Sequence, residues 1–200
     1  MRLCALFWLA TLALVDCSSA PARSDHVARL ETLALLQTLN ADLLSHDSAT
    51  LTLERWCGEH RLADPARIVA LRVRGAEKAL PNELRATLAI EGEEPVAYRH
   101  VQLVCGEHVL SEADNWYLPG RLTPDMNRQL ENSDEPFGKV VKPLGFQRQT
   151  LSSRVLWTPA RHRDMPRELL RHTAVLYTSA HVPFSAVIET YQRGLFDSPP

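Results

Sequence analysis

The sequence predicts an α+β fold, with a mainly antiparallel sheet and helices packed on one face. Three features support this class: one long helical repeat of leucines near the start, several later segments with strand-like alternation, and few helical segments between successive strands. Parallel neighbours would need crossover helices, so short turns favour antiparallel pairing. A chain of 200 residues with 45% hydrophobic content can bury the core of one domain.

The first 22 residues read as a secretory signal peptide. Arg2 gives a positive start, the run from Leu3 to Val15 is almost wholly apolar, and small residues follow at 18–22. The apolar run is too short for a stable membrane span. We therefore expect export to the bacterial periplasm.

A lipoprotein signal is the alternative for the same segment. Cys17 would then become the lipidated first residue and the only membrane attachment. Asp16 stands where such signals normally carry a small residue, so simple cleavage is favoured over lipidation.

The remainder is predicted as a single domain over residues 23–196, followed by a frayed tail at 197–200. Ser24-Asp25 can cap a helix that runs to His46 on a leucine-rich face. The next segment, 49–56, alternates well enough to be a strand or a short helix, and Thr50 and Thr52 favour the strand.

The stretch from Tyr98 to Arg121 predicts the central hairpin of the sheet. Apolar and polar residues alternate up to Cys105, Gly106-Glu107 supplies the turn, and Pro119 ends the second strand because it cannot donate to a ladder. Around this hairpin the pattern predicts strands at 68–73, 152–158, 173–178 and 186–191, an extended segment at 84–90, and a helix at 124–132.

Composition excludes some classes of function. A formal net charge of -2, with scattered basic residues, disfavours a nucleic-acid partner. The eight histidines show no HxxxH spacing and the cysteines no CxxC, so no metal site is expected. No nucleophile and base at a recognisable spacing point to a serine or cysteine hydrolase.

Two cysteines, Cys57 and Cys105, remain once the signal segment is removed. In an oxidising compartment they could form a disulfide that closes a loop of about 48 residues, or they could be two separate buried thiols. The sequence leaves both interpretations open.

Arg99 is the first candidate binding residue, because it enters the central hairpin at its start. If the rest of the domain covers that face of the sheet, the guanidinium needs an anionic partner or an anionic ligand. The strand-borne Glu189 could be that partner, in a purely structural ion pair.

An ordered set of short motifs carries a family resemblance over roughly residues 40–196. The motifs resemble those of bacterial chorismate lyase and of the related effector-sensing domains of transcription regulators. In chain order they are Asp47-Ser48-Ala49-Thr50, Tyr98-Arg99, Tyr117-Leu118-Pro119, Pro136-Phe137-Gly138 and Val187-Ile188-Glu189.

The resemblance implies a chorismate-lyase-like activity that eliminates pyruvate from chorismate, or a related enolpyruvyl acid, to leave a 4-hydroxybenzoate-type acid without metal or organic cofactor. Arg99 would hold the ring carboxylate, and Glu189 would lie at the ring oxygen. Phe137 would line the pocket, although Pro143-Leu144-Gly145 also matches that turn. Ala49 stands where the family commonly has Met, which alters one pocket wall.

Further residues are candidates on chemical grounds. Trp116 and Tyr117 could stack on an aromatic ring or cover the sheet face, and Arg121 and Arg171 could hold a second carboxylate.

Export argues against the lyase, because chorismate is made in the cytoplasm. The alternative is an exported, non-catalytic protein that binds an aromatic or other small carboxylic acid on the same fold. A third interpretation is a structural envelope protein that retains only the fold, with its pocket filled by Phe137 and Trp116.

Overall fold

The computed structural model describes residues 20–75, 77–162 and 164–197. Nearly all of the predicted signal peptide, Cys17 included, and the end of the predicted tail therefore lie outside the described residues. Apart from three short 3-10 helices, the described residues form five α-helices and six strands in the order α1 (Ala20–Ser45), α2 (Ala49–Glu59), β1 (Ile68–Arg72), α3 (Asn82–Thr87), β2 (Ala97–Cys105), β3 (His108–Tyr117), α4 (Pro124–Asn132), α5 (Phe137–Val140), β4 (Gln147–Val155), β5 (Glu168–Tyr177) and β6 (Pro183–Gln192).

The six strands form one antiparallel sheet in the order β1-β2-β3-β6-β5-β4. The predicted hairpin, β2–β3, lies next to β6, so the centre of the sheet joins residues 68 to 80 positions apart, from the pair Tyr117–Ser185 to the pair Ser111–Tyr191. The predicted α+β class is confirmed.

Helices cover the sheet unequally. The α1 and α2 helices pack their leucines on one face, and α4 and α5 cover the end of the same face around Tyr117 and Phe184. The short α3 lies on the other face, where Leu84 and Leu88 pack against Trp116. Among the described residues, no helix is both long and apolar enough to cross a membrane.

The segment 49–56 is helical, so the preference for a strand was wrong. Ser48 caps α2, because its hydroxyl accepts the backbone N–H of Leu51 at 3.3 Å. Leu53, Trp56 and Cys57 then bury one face of the helix against the sheet. Capping and packing together outweigh the weak strand preference of two threonines.

Two other element predictions need correction. The segment expected to be extended from Leu84 to Ile90 begins with α3, whose backbone turns into a helix directly after Pro81. The strand expected at 152–158 is β4, which starts earlier, at Gln147. Its side chains are mostly exposed, so its sequence lacks the alternation that a half-buried strand shows.

The hairpin turn is tied to α2. Gly106 adopts a left-handed φ of 56°, and a Cβ there would lie 2.8 Å from the Cβ of Ala63. Beside it, Cys57 and Cys105 form a disulfide with a Cα–Cα distance of 6.5 Å. The bond joins the buried face of α2 to the end of β2.

Candidate functional site

A small cavity lies between the sheet and the first turns of α2 and α5. It encloses about 50 Å³, far less than the roughly 300–1,000 Å³ of typical small-molecule pockets. Its walls are largely apolar and come from four strands and the segment before β4: Val101, Leu103, Ala113, Phe146, Leu176 and Val187.

Strand register places Arg99 and Glu189 on this face. Arg99 on β2 is opposite Asn115 on β3, which is opposite Val187 on β6. Glu189 lies two residues further along β6, and side chains two apart on a strand point to the same face. Both charged side chains therefore reach the cavity from different strands, with Ala113 and Asn115 between them.

Arg99 is 2% exposed and is held by backbone carbonyls. Its Nη1 donates to the carbonyl of Glu135 and its Nη2 to that of Ser133, both at 3.2 Å. Its buried Nε–H has no hydrogen-bond partner. Within the described part of the chain, no carboxylate oxygen lies within 4.0 Å of this guanidinium, so the cation lacks a direct counter-ion.

The surroundings of Arg99 disfavour its charge. Burial lowers the pKa of its guanidinium, and the charge of Arg72 acts in the same direction. Tyr117 and Asp134 oppose this shift without reversing it. A nearby anion would therefore stabilise the charged form of Arg99 and would itself be attracted by that charge.

Glu189 is paired with Arg148, not with Arg99. Nη2 of Arg148 donates to Oε2 of Glu189 at 2.5 Å, and the hydroxyl of Tyr191 donates to the same oxygen at 3.0 Å. Burial acts to lower the pKa of Arg148, but the Glu189 carboxylate outweighs it and the pKa is raised. The alternative of an Arg99–Glu189 ion pair is therefore not what the structure contains.

Sequence reasoning missed Arg148 altogether. It lies in the exposed strand β4 but turns inward, with only 4% of its side chain exposed, and its Nε–H has no partner. No local signal separates it from the other polar residues of that strand. Its pairing with a residue 41 positions away appears only in three dimensions.

His172 lies on β5 beside this ion pair, directly opposite Glu189. The imidazole is fully buried, its Nε2 lies 2.8 Å from Oδ1 of Asn40, and its Nδ1 has no partner. Since Oδ1 can only accept, we assign the proton to Nε2. Burial lowers the pKa of His172 to about 4, the charge of Arg148 adds to this, and Glu189 opposes it.

The start of α2 forms the polar rim of the cavity. Asp47, Ser48, Ala49 and Thr50 all line it. A Cβ on Gly138 would lie 3.4 Å from the hydroxyl oxygens of Ser48 and Thr50, so the glycine lets α5 approach them closely. The first turn of α2 adds the positive end of a helix dipole, which favours anions.

Four of the predicted site residues line the cavity, and they are Arg99, Glu189, Phe137 and Ala49. Of the two candidate turns, the one at Phe137-Gly138 lines the cavity and Pro143-Leu144-Gly145 does not.

Trp116 and Tyr117 do not line the cavity, which corrects the expectation that they contact a ligand there. Trp116 points to the opposite face, where its Nε1 donates to the carbonyl of Lys78 at 2.9 Å. Tyr117 shares the face of Arg99 but packs behind Phe137, with ring centroids 5.4 Å apart. Strand alternation separates the two neighbours.

The other candidate arginines have partners elsewhere. Arg121 binds Glu94 and three backbone carbonyls, and Arg171 contacts Glu168 and Thr190 on the opposite face. In the described part of the chain, no group of three or more His, Cys, Asp or Glu side chains could hold a metal ion.

Comparison with solved structures gives the fold. The crystal structure of PhnF from Mycobacterium smegmatis aligns with a TM-score of 0.52 and 12% identity, over 78% of this chain and 68% of that one. The effector domain of the same protein, solved separately, aligns with a TM-score of 0.49 and 12% identity, over 74% of this chain and 89% of that one. No protein-family model matches the sequence.

The chain therefore shares the fold of PhnF, which is chorismate-lyase-like. In sequence, the chain is 47% identical to the uncharacterized protein y4mC of Sinorhizobium fredii (strain NBRC 101917 / NGR234), over 189 residues that cover 86% of this chain and 80% of the relative. The chain belongs to the family of y4mC.

The buried imidazole predicts a specific loss of stability in acid. His172 has a pKa of about 4 in the folded chain and an ordinary value of 6.5, so the unfolded state binds more protons between these values. The contribution of His172 to the free energy of unfolding is fully present above pH 6.5. It falls as the pH drops toward 4, by on the order of 3 kcal/mol. Urea unfolding of the wild type and His172→Gln across this range measures the difference.

The variant should lose less free energy of unfolding on acidification than the wild type. His162→Gln, at an exposed position, is the control and should follow the wild type. Equal acid dependence of His172→Gln and the wild type would contradict a buried neutral imidazole.

Proposed function

We propose that the cavity binds a small carboxylic acid through Arg99. The observation that carries this proposal is a buried guanidinium with a free Nε–H and no carboxylate partner in the described chain, in the wall of a cavity. An unpaired buried charge is costly, and a ligand carboxylate would relieve that cost.

The orientation of Arg99 suits this role. The carbonyls of Ser133 and Glu135 occupy one nitrogen each, Nη2 and Nη1, and hold the planar group in place. A carboxylate that reaches the guanidinium from the cavity would form the paired hydrogen bonds that guanidinium geometry favours. The helix dipole of α2 acts in the same direction.

The cavity also limits the size and the polarity of the ligand. Its walls are apolar and its volume is about 50 Å³, which suits an acid with a short apolar body. An aromatic acid would need Phe137 or Phe146 to move aside. Use of the same fold as a ligand-binding domain in regulators supports binding as the function.

Substitution of Arg99 should remove carboxylate affinity. Calorimetric titration with propionate, benzoate and 4-hydroxybenzoate should show binding that Arg99→Gln weakens at least about ten-fold, because hydrogen bonds to a charged group are lost. Arg171→Gln is the matched control, since Arg171 lies on the other face of the sheet.

Melting curves recorded alongside establish that each variant is folded, and Arg99→Lys tests whether charge without the planar fork suffices. Equal affinities of wild type and a folded Arg99→Gln would refute the proposal.

A chorismate-lyase-like elimination is the second candidate, favoured by the presence of Glu189 in the same cavity as Arg99. In such a reaction the carboxyl group would donate a proton to the departing ether oxygen. In this cavity Glu189 accepts bonds from Arg148 and Tyr191, and a carboxylate bound in this way is an acceptor. We therefore favour binding without turnover.

Incubation with chorismate distinguishes the two candidates. We expect no pyruvate above the buffer rate, measured by chromatography alongside 4-hydroxybenzoate. Equal amounts of both products, lost in Glu189→Gln and Arg99→Gln, would establish the lyase instead.

We further propose that the protein is exported and carries its disulfide in the periplasm. The Cys57–Cys105 bond supports this, because such bonds persist mainly in oxidising compartments, and so does the apolar run near the start of the sequence. Fractionation of bacterial cells should recover the chain outside the cytoplasm, with no alkylation of either cysteine before reduction.

Labelling of both thiols in cytoplasmic protein would contradict export. A mass increase from lipid on Cys17 would select the lipoprotein form over simple cleavage.

A further inference from the structure

A second charged residue at the cavity, Asp47, forms no direct ion pair among the described residues, although its negative charge acts on Arg148 at longer range. Asp47 is exposed at the rim, and its Oδ1 accepts the backbone N–H of Arg148 at 2.8 Å. Across the described residues, no Lys, Arg or His nitrogen lies within 4.0 Å of its carboxylate. The hydrogen bond leaves the second oxygen, Oδ2, available to a ligand.

Four charged side chains line the cavity, two positive and two negative: Arg99, Arg148, Asp47 and Glu189. Arg148 and Glu189 neutralise each other in a direct ion pair. Arg99, inside, and Asp47, at the rim, each lack such a partner. The cavity therefore presents one positive charge inside and one negative charge at its entrance, with apolar walls between them.

We propose that the ligand is a small zwitterion, a carboxylic acid that also carries an amino group. Its carboxylate binds Arg99 and its ammonium group binds Asp47. This inference rests on the proposed function and adds the second group of the ligand. A simple acid would leave the occupied site with a net negative charge, whereas a zwitterion leaves it neutral.

A purely structural role would not require the negative charge of Asp47. To accept the first N–H of β4, any short side chain with an oxygen would suffice, and asparagine would serve as well as aspartate. Asp47→Asn therefore separates the two roles, because it keeps the acceptor oxygen and removes the charge.

The test compares amino acids with the same acids lacking the amine. Calorimetric titrations use glycine with acetate, β-alanine with propionate, and 4-aminobutyrate with butyrate and 4-hydroxybutyrate. At the chain length that spans the two charges, the amino acid should bind about three- to five-fold more tightly than its matched acid, as befits an ion pair at a partly exposed rim. Raising the salt concentration should reduce this preference.

Asp47→Asn should abolish the preference, and the affinity for the simple acids should not fall, because the variant removes a negative charge from the rim. Asp125→Asn, on the exposed face of α4, is the matched control and should retain the preference. If Asp47→Asn does not fold, the salt dependence in the wild type decides the question.

Failure of the inference and failure of the proposed function give different results. If each simple acid binds through Arg99 as tightly as its matched amino acid, the ligand is not selected as a zwitterion, but the proposed function stands. Absence of binding by every acid and amino acid would overturn both. A preference for 4-hydroxybutyrate over 4-aminobutyrate would assign the rim to a hydroxyl group and reject the ammonium.

Discussion

Within the described part of the chain, the site depends on one buried cation that has no direct counter-ion, the guanidinium of Arg99. Its charge is held inside the domain by two backbone carbonyls, of Ser133 and Glu135, in the connection between α4 and α5. Carbonyl dipoles orient a guanidinium but do not neutralise it. The position of that connection, the register of β2 and the free Nε–H therefore belong to one arrangement, which leaves a place for an anion.

Two arginines in one cavity meet the same physical demand in different ways. Arg148 has its counter-ion in Glu189, and Tyr191 strengthens the pair with a further hydrogen bond. Behind them, His172 stays neutral because burial outweighs the attraction of the carboxylate. Among the described residues of the cavity, Arg148 and Glu189 thus neutralise each other, and Arg99 is the cation without a direct counter-ion. This division favours recognition of an anion over proton transfer.

The sequence predicts those elements whose signal is local. The leucines of α1 recur at helical spacing, and the hairpin β2–β3 combines alternation with Gly106 at the turn, so both are recognisable. In α2 the threonines favour a strand, and the cap at Ser48 with burial against the sheet decides otherwise. In β4 most side chains are exposed, so its start and the inward turn of Arg148 leave no pattern. Arg99 was predictable because a cation entering a covered sheet demands a partner, whereas the partner of Glu189 was not.

The charge of Arg99 lies in a largely apolar wall without a direct ion pair among the described residues, and burial of such a charge costs free energy. A ligand that supplies the missing anion stabilises the folded chain by binding only that state. The same guanidinium that would hold the ligand also holds the connection between α4 and α5, so binding and the order of that connection are coupled through one side chain. Binding of a ligand at Arg99 would therefore act on the order of this connection, and no catalytic step is needed for that.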